Sequence, residues 1–331
     1  MENLTKLGGY SELSKIVRGT VKKSTPWELY GYDLCILASA FLLLPFGFLL
    51  LRNDGWCFAL GLFILGTVHV MFITKGAHSA SHKALGPWKG WNTFWGVFFT
   101  ELCGGFTFHG ASDTHVNIHH PHTNVIGLGD SSIWKIPFLE REMYLFIAPF
   151  FVPMIAPFFS IQLQWGQWKA IAKNLVLICL GFFGHFTCFR LLSGLSALWS
   201  LLCVFLVRGL YYCTYIHVNI FQHIGLSMYH PKRRPKRLEL MATGVLNLSR
   251  NALLDYSFGH SLISCHVEHH LFPNLSDNMC MKIKPIVKQF LQDKGLPYQE
   301  DSYWNRLKTF YNDYKRLMVD APSITEFIGV Q

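Results

Sequence analysis

Charged residues are scarce in this chain. Asp, Glu, Lys and Arg make up only 15% of the 331 residues, whereas hydrophobic residues make up 51% and the mean hydropathy is +0.26. Soluble domains carry about 25% charged residues. The shortage therefore excludes an ordinary soluble protein and predicts a chain that is partly dissolved in lipid.

Acidic residues are the scarcer of the two charge classes, which leaves a formal net charge of +9. This charge would suit nucleic-acid binding, but the basic clusters lie outside the apolar segments, at residues 22–23, 232–234 and 236–237. Basic residues beside membrane helices have this distribution. We therefore predict the lipid bilayer, and no nucleic acid, as a partner.

Paired cysteine motifs are missing as well. The nine cysteines form no CxxC pair, and Cys35, Cys179 and Cys203 lie inside apolar runs, which is typical of reduced, buried cysteine. The first thirty residues are polar and mildly basic, so we expect no cleaved signal peptide. We find no lipidation or ER-retrieval motif at the C-terminus.

Histidine, in contrast, is plentiful, and eight of the 16 histidines lie in three short boxes. Spacings of i, i+3 and i+4 bring the imidazoles of a box to one face of a helix. A neutral imidazole is a metal ligand and a poor core residue, so the boxes predict a metal site. In a fourth stretch, Asn219 and His223 are also four residues apart. The boxes are HSASH (78–82), HVNIHH (115–120) and HVEHH (266–270).

The number of imidazoles favours two metal ions. Nine histidines are too many for one ion, because a site usually takes three or four such ligands, and iron, zinc and copper all accept them. A carboxylate-bridged pair would need inward Glu-x-x-His motifs, which these helices lack. A pair of nitrogen-ligated irons would activate dioxygen for attack on a C–H bond, and Asn219 could hold a water that completes one shell.

Four apolar segments are about long enough to cross a bilayer, and short turns join them into two hairpins. The positive-inside rule places residues 22–23 and Lys75 in the cytosol, and with them both termini and all the boxes. The four segments are residues 34–51, 56–74, 175–192 and 195–214.

Two further apolar segments are predicted to be interfacial or re-entrant. If residues 91–108 crossed, the first two boxes would lie on opposite sides of the bilayer and could not share a metal. Residues 144–160 contain three prolines, which remove helix hydrogen bonds. We therefore predict an all-α integral membrane protein with about four transmembrane helices in two hairpins, interfacial helices and a cytosolic helical cap.

Other polar residues have less specific interpretations. His69 and His185 lie within predicted spans and are expected to pack there. Arg208 interrupts the fourth span, and it either snorkels to the interface or contacts an acyl thioester or a phosphate. Three histidines near the boxes are candidate ligands or orienting residues: His122, His217 and His260. Five carboxylates could hold the second nitrogen of a ligand imidazole: Glu101, Asp113, Asp130, Asp255 and Glu268.

The three boxes, the last continued as HVEHHLFP (266–273), resemble those of membrane fatty acid desaturases and their hydroxylase relatives. The stretch from Asn219 to His223 is similar to the extra ligand motif of acyl-CoA desaturases. The resemblance runs from about Leu34 to Phe290. We therefore expect an N-terminal arm at residues 1–32, a membrane desaturase domain at 33–290 and a C-terminal tail at 291–331.

The resemblance implies a four-span, mushroom-like fold in the ER membrane and an oxidoreductase that inserts a double bond into a fatty acyl chain. It also implies two Fe²⁺ ions, O2, and electrons from cytochrome b5 and its NADH reductase. The implied ligands are His78, His82, His115, His119, His120, His223, His266, His269 and His270.

Two departures from the front-end desaturases qualify this expectation. The chain has no HPGG haem motif, so cytochrome b5 would act in trans. The third box begins with His266 where that class has glutamine, which argues against its regiochemistry.

Three other functions stay open on the sequence. A hydroxylase would use the same site, with the substrate radical recombining with oxygen. A histidine-rich transporter or receptor would place its ligands near the bilayer midplane, whereas the boxes follow helix ends on one face. A catalytically silent binding protein would keep the site for structure only.

Overall fold

The computed structural model describes residues 9–129 and 134–320, and helices dominate these two ranges. Asp130, one of the candidate orienting carboxylates, and the outer ends of the predicted arm and tail lie outside the described residues. Helix α1 (Tyr10–Lys23) packs on the cap. The seven helices that follow it are α2 (Trp27–Leu50), α3 (Trp56–Ser81), α4 (89–104), α5 (108–119), α6 (Met143–Leu163), α7 (Trp168–Leu191) and α8 (Ala197–Phe221).

The second half of the chain builds most of the cap. Two short strands, β1 (Asn247–Leu248) and β2 (Glu300–Asp301), pair in parallel within it. Short helical turns also occur at Pro231–Arg233 and Lys315–Val319. The cap helices are α9 (Arg237–Gly244), α10 (Ala252–Phe258), α11 (His266–Leu271), α12 (Asp277–Asp293) and α13 (Tyr303–Asn312).

Among the described residues, five helices are long and apolar enough to cross a membrane: α2, α3, α6, α7 and α8. Four of them overlap the predicted spans, so a mostly helical fold with helices long and apolar enough for a membrane is confirmed. The fifth, α6, covers the segment predicted to be interfacial. It changes from a π-helical turn to a 3₁₀ turn to an α-helix where Pro149 and Pro153 occur. The count of four spans stays a prediction.

The helices pair as two hairpins whose turns meet. In α2 and α3, a Cβ on Gly61 would lie 2.9 Å from the Gly47 carbonyl oxygen, so the two backbones approach closely through small residues. The Ser193 hydroxyl, in the α7–α8 turn, donates to the Phe48 carbonyl at 2.8 Å, and Arg52 Nε donates to the Leu192 carbonyl at 2.7 Å. Both turns therefore lie at one end of the bundle.

Helix α4 enters the bundle and the chain returns to the side from which it came. Its Phe99 ring packs on Gly76 of α3, where a Cβ would lie 2.7 Å from the ring. The chain then turns at Gly105, whose φ of +78° favours glycine. His78 before α4 and His115 after it are 3.1 Å apart at Nε2, so the first two boxes lie on one side, as predicted.

The cap closes over that side. Helix α1 is amphipathic, and its Leu13 and Val17 are buried in a core shared with α12. Helix α13 packs against the end of α8, where Arg306 Nε donates to the Phe221 carbonyl at 2.9 Å. The described parts of the arm and the tail are thus bound to the same body that holds the boxes.

Candidate metal centre

The four histidine stretches come from four separate parts of the fold. Box one ends α3, and box two occupies the π-helical second half of α5, Asp113–His119. His223 directly follows α8, and box three forms α11. π-Helical turns are rare and occur frequently at functional sites, because they turn side chains that an α-helix would direct elsewhere.

Five histidines form the first cluster, and their ligand nitrogens all lie within 4.8 Å of one another. The shortest separations join Nε2 of His115 to Nε2 of His78 at 3.1 Å and to Nε2 of His120 at 3.2 Å. All three boxes contribute to this cluster. Its members are His78, His82, His115, His120 and His269.

The second cluster contains His119, His223 and His270, again within 4.8 Å of one another. His266 adjoins it, because its Nε2 is 2.9 Å from that of His223 and 3.2 Å from that of His270. The ring centroids of His120 and His270 are only 4.3 Å apart, so the clusters touch. The structure thus brings together all nine histidines that the sequence predicted.

Burial favours the neutral form of the imidazole ring, whose lone pair can bind a metal. Burial lowers the pKa of His266 to about 3, and a backbone hydrogen bond to Ser261 only partly opposes it. Burial, followed by the neighbouring imidazoles, also lowers the pKa of His82, His115, His269 and His270 far below the usual value. Only the neutral form of imidazole binds a metal.

Two imidazoles at the heart of the first cluster test whether a metal fits. His82 and His269 are buried, and in the described part of the chain no hydrogen-bond partner reaches any of their four ring nitrogens. Buried polar atoms are nearly always paired, and leaving one unpaired costs stability. Nitrogen donors that converge without partners fit metal ligation, and a donor set of imidazoles suits iron among other transition metals.

Backbone carbonyls hold several of the outward nitrogens. Nδ1–H of His119 donates to Gly129 at 3.0 Å, and Nδ1–H of His223 donates to Gly244 at 3.3 Å. Nδ1–H of His266 donates to the Ser261 carbonyl at 2.8 Å. These bonds fix the tautomer that turns Nε2 toward the centre.

The described carboxylates that the sequence suggested as partners of the ligand imidazoles bind other groups. Glu101 pairs with Lys173 at 3.4 Å, and Asp113 accepts from Asn117 at 2.6 Å. The carboxylate of Asp255 accepts from Ser264 at 2.7 Å. Glu268 is buried beneath box three, where Tyr298 donates to it at 2.8 Å and Asn247 at 3.0 Å.

A buried ion pair supports the centre from behind, and sequence reasoning missed it. Lys75 Nζ and Asp277 Oδ2 are 3.1 Å apart, with only 1% and 2% of the side chains exposed. Asp277 Oδ1 accepts from Ser261 N–H at 2.8 Å, and Ser261 in turn receives His266 Nδ1–H. The Ser261 hydroxyl lies 3.4 Å from His78 Nδ1. The only sign of this ion pair in the sequence is Lys75 itself, a lysine three residues before His78 inside an apolar helix.

Asn124, also missed, ties box two to the fourth stretch. Its buried side-chain amide donates to the carbonyls of His223 at 2.9 Å, Gly244 at 3.1 Å and Ser227 at 3.2 Å. Its φ of +52° is the left-handed conformation, which Asn adopts more readily than most residues. The Thr-Asn pair that follows box two is therefore structural.

Other candidate histidines lie outside both clusters. His69 and His185 stack on each other with ring centroids 6.2 Å apart, which fits the predicted packing role. His217 lies between the Leu145 carbonyl at 2.8 Å and the Tyr303 hydroxyl at 2.6 Å.

The other two candidate histidines contact polar neighbours. His122 Nδ1 lies 2.6 Å from Arg234 Nη1, and His260 Nδ1 is 3.1 Å from Asp255. Asn219 donates to the Tyr215 carbonyl of its own helix at 2.7 Å, and its water-holding role stays a prediction.

Comparisons with known proteins agree with the geometry. Residues 54–302 match the family model for fatty acid desaturases. Fatty acid desaturase 6 from Bos taurus is 48% identical over 323 residues, covering 97% of this chain and 94% of that protein. The Homo sapiens relative of the same name is 48% identical over 322 residues, covering 96% and 90%. The run from His115 to Lys135 and the short chain predict a resemblance to vertebrate fatty acid desaturase 6, and the 48% identity confirms it.

A more distant relative is a Delta(8)-fatty-acid desaturase from Helianthus annuus, which is 24% identical over 331 aligned positions that cover 89% of this chain and 69% of that protein. The matched region contains all three histidine boxes and the fourth stretch. This chain belongs to the fatty acid desaturase family.

Proposed function

We propose that this protein is a membrane-bound desaturase that uses a nine-histidine diiron centre to insert a double bond into a fatty acyl chain. The observation that supports this most strongly is the convergence of nine imidazoles into two touching clusters. The overall reaction removes two hydrogens from adjacent methylenes, and with O2, two electrons and two protons it releases two waters. When bound, the irons would supply the dioxygen activation that C–H cleavage requires.

The chain's own residues hold and shield this centre. The two clusters would each hold one iron, the second with His266, and the carbonyls of Gly129, Gly244 and Ser261 would keep the imidazoles oriented. The buried surroundings exclude water from a reactive site. A bound acyl chain would need its target carbons held against the metals, which is the protein's main contribution to rate.

The number of membrane crossings between two residues on the same side must be even, and this supports four spans. His119 and His223 lie in one cluster, yet α6, α7 and α8 lie between them in sequence. Because both ends of this stretch are on one side, an even number of the three helices must cross. Helices α7 and α8 form the hairpin whose turn meets the α2–α3 turn, and α6 is interrupted by prolines. We therefore assign α6 to the interface and the metal side to the cytosol, in the ER membrane.

Electrons would come from cytochrome b5 and its reductase in trans. The basic loop at residues 232–237 reaches the centre's rim, because Arg234 Nη1 lies 2.6 Å from Nδ1 of His122, two residues after His120. A basic surface beside a redox site would attract an acidic donor and speed its encounter.

Product analysis tests the proposal. Lipids of cells that express the wild type, a His269→Ala variant and a His230→Ala control would be compared by mass spectrometry. His230 is exposed and caps the turn at Pro231–Arg233, and its imidazole belongs to neither cluster. We expect an acyl product lacking two hydrogens in the wild type and the control only. A product that has gained one oxygen would instead identify a hydroxylase, and no product in any sample would contradict catalysis.

A further inference from the structure

Arg208 lies in the middle of α8, inside the membrane domain, and does not snorkel. Only 2% of its surface is exposed, and the sequence-based expectation that it reaches the interface is therefore wrong. Its guanidinium lies over the ring of Phe182 on α7, with Cζ 3.8 Å from the ring centroid. Within the described residues, neither Nε nor Nη1 has a hydrogen-bond partner.

No counter-ion for this charge is found among residues 9–129 and 134–320. The groups in electrostatic range are Cys103, Tyr212, His69 and His185. Thiols and phenols are uncharged at neutral pH, and imidazole offers no negative charge. A buried charge normally requires a paired opposite charge, and a cation–π contact offsets only a small part of the desolvation. The guanidinium therefore lacks the partner that its burial demands.

The backbone at Gly105 lies beside the guanidinium and places no side chain against it. Gly105, just after α4, has a φ of +78°, and a Cβ at this position would lie 3.9 Å from Arg208 Nη1 and 3.4 Å from Phe182, which are ordinary contact distances. Glycine here satisfies the turn and brings no polar group to Arg208.

The depth of the site indicates what could reach it. Arg208 is 11 residues from the start of α8 at Ala197, which corresponds to about 16 Å along the helix. A bilayer core is about 30 Å thick, so residue 208 would lie near its middle if α8 crosses and begins at the surface of the core. A phosphate stays at headgroup depth, whereas a fatty acid can enter the core as the neutral acid and release its proton on pairing with the guanidinium.

We propose that Arg208, with Phe182 and Gly105 beside it, forms an intramembrane binding site for the carboxylate of a fatty acid. The planar guanidinium presents paired N–H groups that match a carboxylate, and the aromatic face packs on the adjoining methylenes. The site is separate from the nine histidines and does not require a metal. It would bind a free fatty acid whether that molecule acts as a substrate or as a bound lipid.

Binding to the wild type is the first test. The purified protein in nanodiscs of zwitterionic lipid is titrated with radiolabelled palmitate, and the label is competed with unlabelled palmitate, hexadecanol or dioleoyl phosphatidate. We expect displacement by palmitate at least tenfold more effective than by hexadecanol, which has the chain without the charge. Equal displacement by hexadecanol would overturn the proposal, and stronger displacement by phosphatidate would overturn the choice of a carboxylate.

Variants locate the site. Arg208→Gln should weaken palmitate binding at least tenfold and leave the weak binding of hexadecanol unchanged, while Arg208→Lys should retain part of the preference. Arg190→Gln is the matched control, since Arg190 is an exposed arginine near the end of α7. Unchanged palmitate binding in Arg208→Gln, with normal metal content, would overturn the assignment. If that variant does not fold, the comparison of palmitate with hexadecanol on the wild type and on Arg208→Lys still decides.

To separate substrate from bound lipid, cells expressing the Arg208→Lys variant are assayed for acyl product. A product yield that falls in proportion to palmitate affinity would identify the bound fatty acid as a substrate. A full yield with weakened binding would identify it as a separate lipid. Because the binding tests use no turnover, failure of the desaturase function and failure of this site give different results.

Discussion

Removal of Lys75 tests how the cap is fastened to the membrane helices. The pair of Lys75 with Asp277 is buried on both sides, with 1% and 2% of the side chains exposed and 3.1 Å between Nζ and Oδ2. Burial alone would raise the pKa of Asp277, but Lys75 and the Ser261 groups hold it below its usual value, so the carboxylate is charged. Lys75→Met would leave that charge buried without its cation.

The expected loss of stability is large. Breaking a buried pair by removing one partner costs about 3–5 kcal/mol. Since about 1.4 kcal/mol is a factor of ten, the unfolding equilibrium should change by roughly a hundredfold to several thousandfold. The Asp277 carboxylate also holds Ser261, which receives His266 Nδ1–H, so we expect lower metal affinity in the second cluster as well.

Reversible unfolding in mixed micelles, with metal content measured in parallel, checks this prediction. Lys288→Met on α12 is the control, because its pair with Glu300 is 3.7 Å long and 45% and 30% exposed, and such pairs contribute below about 1 kcal/mol. The double variant Lys75→Met/Asp277→Leu should regain part of the lost stability, because it removes the buried charge but also the acceptor of Ser261 N–H. A loss below about 1 kcal/mol for Lys75→Met, or no recovery in the double variant, would refute the reasoning.

Three further outcomes are expected. Gly259→Ala should lower the melting temperature, because φ at residue 259 is +98° and the new Cβ would lie 2.3 Å from Asp277 Oδ2. A melting temperature equal to that of the wild type would contradict this and show that the loop can move. Asn124→Asp should cost about 1–3 kcal/mol in denaturant unfolding and loosen His223, because the amide donor of three carbonyls is lost. Removing metal with a chelator should lower the melting temperature. Adding Fe²⁺ should raise it again, with the logarithm of the Fe²⁺ concentration once that exceeds the Kd, whereas an unchanged melting curve would argue against a bound metal.

The histidine site could be predicted in advance because its signal is local. Ligand spacing within a box depends only on helix geometry. Because ligands of one metal site must lie on the same side of the bilayer, α4 cannot cross it and must return to the side of the first box. The chain's likeness to a known family supplied the assignment of nine ligands. For these reasons the nine histidines that the boxes and His223 predict are the nine that the structure brings together.

The supporting contacts could not be predicted from the sequence, because they depend on how distant segments pack. Gly129, Gly244 and Ser261 hold the imidazoles through backbone carbonyls, and any residue type could supply a carbonyl. Carboxylates such as Glu268 were the visible candidates, yet tertiary packing directs Glu268 to Tyr298.

Arg208 illustrates the same limit inside the membrane. An arginine in an apolar helix can snorkel or stay buried, and the choice depends on which neighbouring helices enclose it. Here α7 places Phe182 against the guanidinium, and the turn after α4 places Gly105 beside it. Neither contact can be inferred from the spacing of residues along α8 alone.

Metal stoichiometry tests the central claim most directly. The wild type, His269→Ala from the first cluster and His223→Ala from the second would be purified in detergent and analysed by inductively coupled plasma mass spectrometry. Two irons per chain in the wild type and a reduced iron content in each variant would support a histidine-ligated diiron centre. One zinc per chain, or no metal in the wild type, would contradict it.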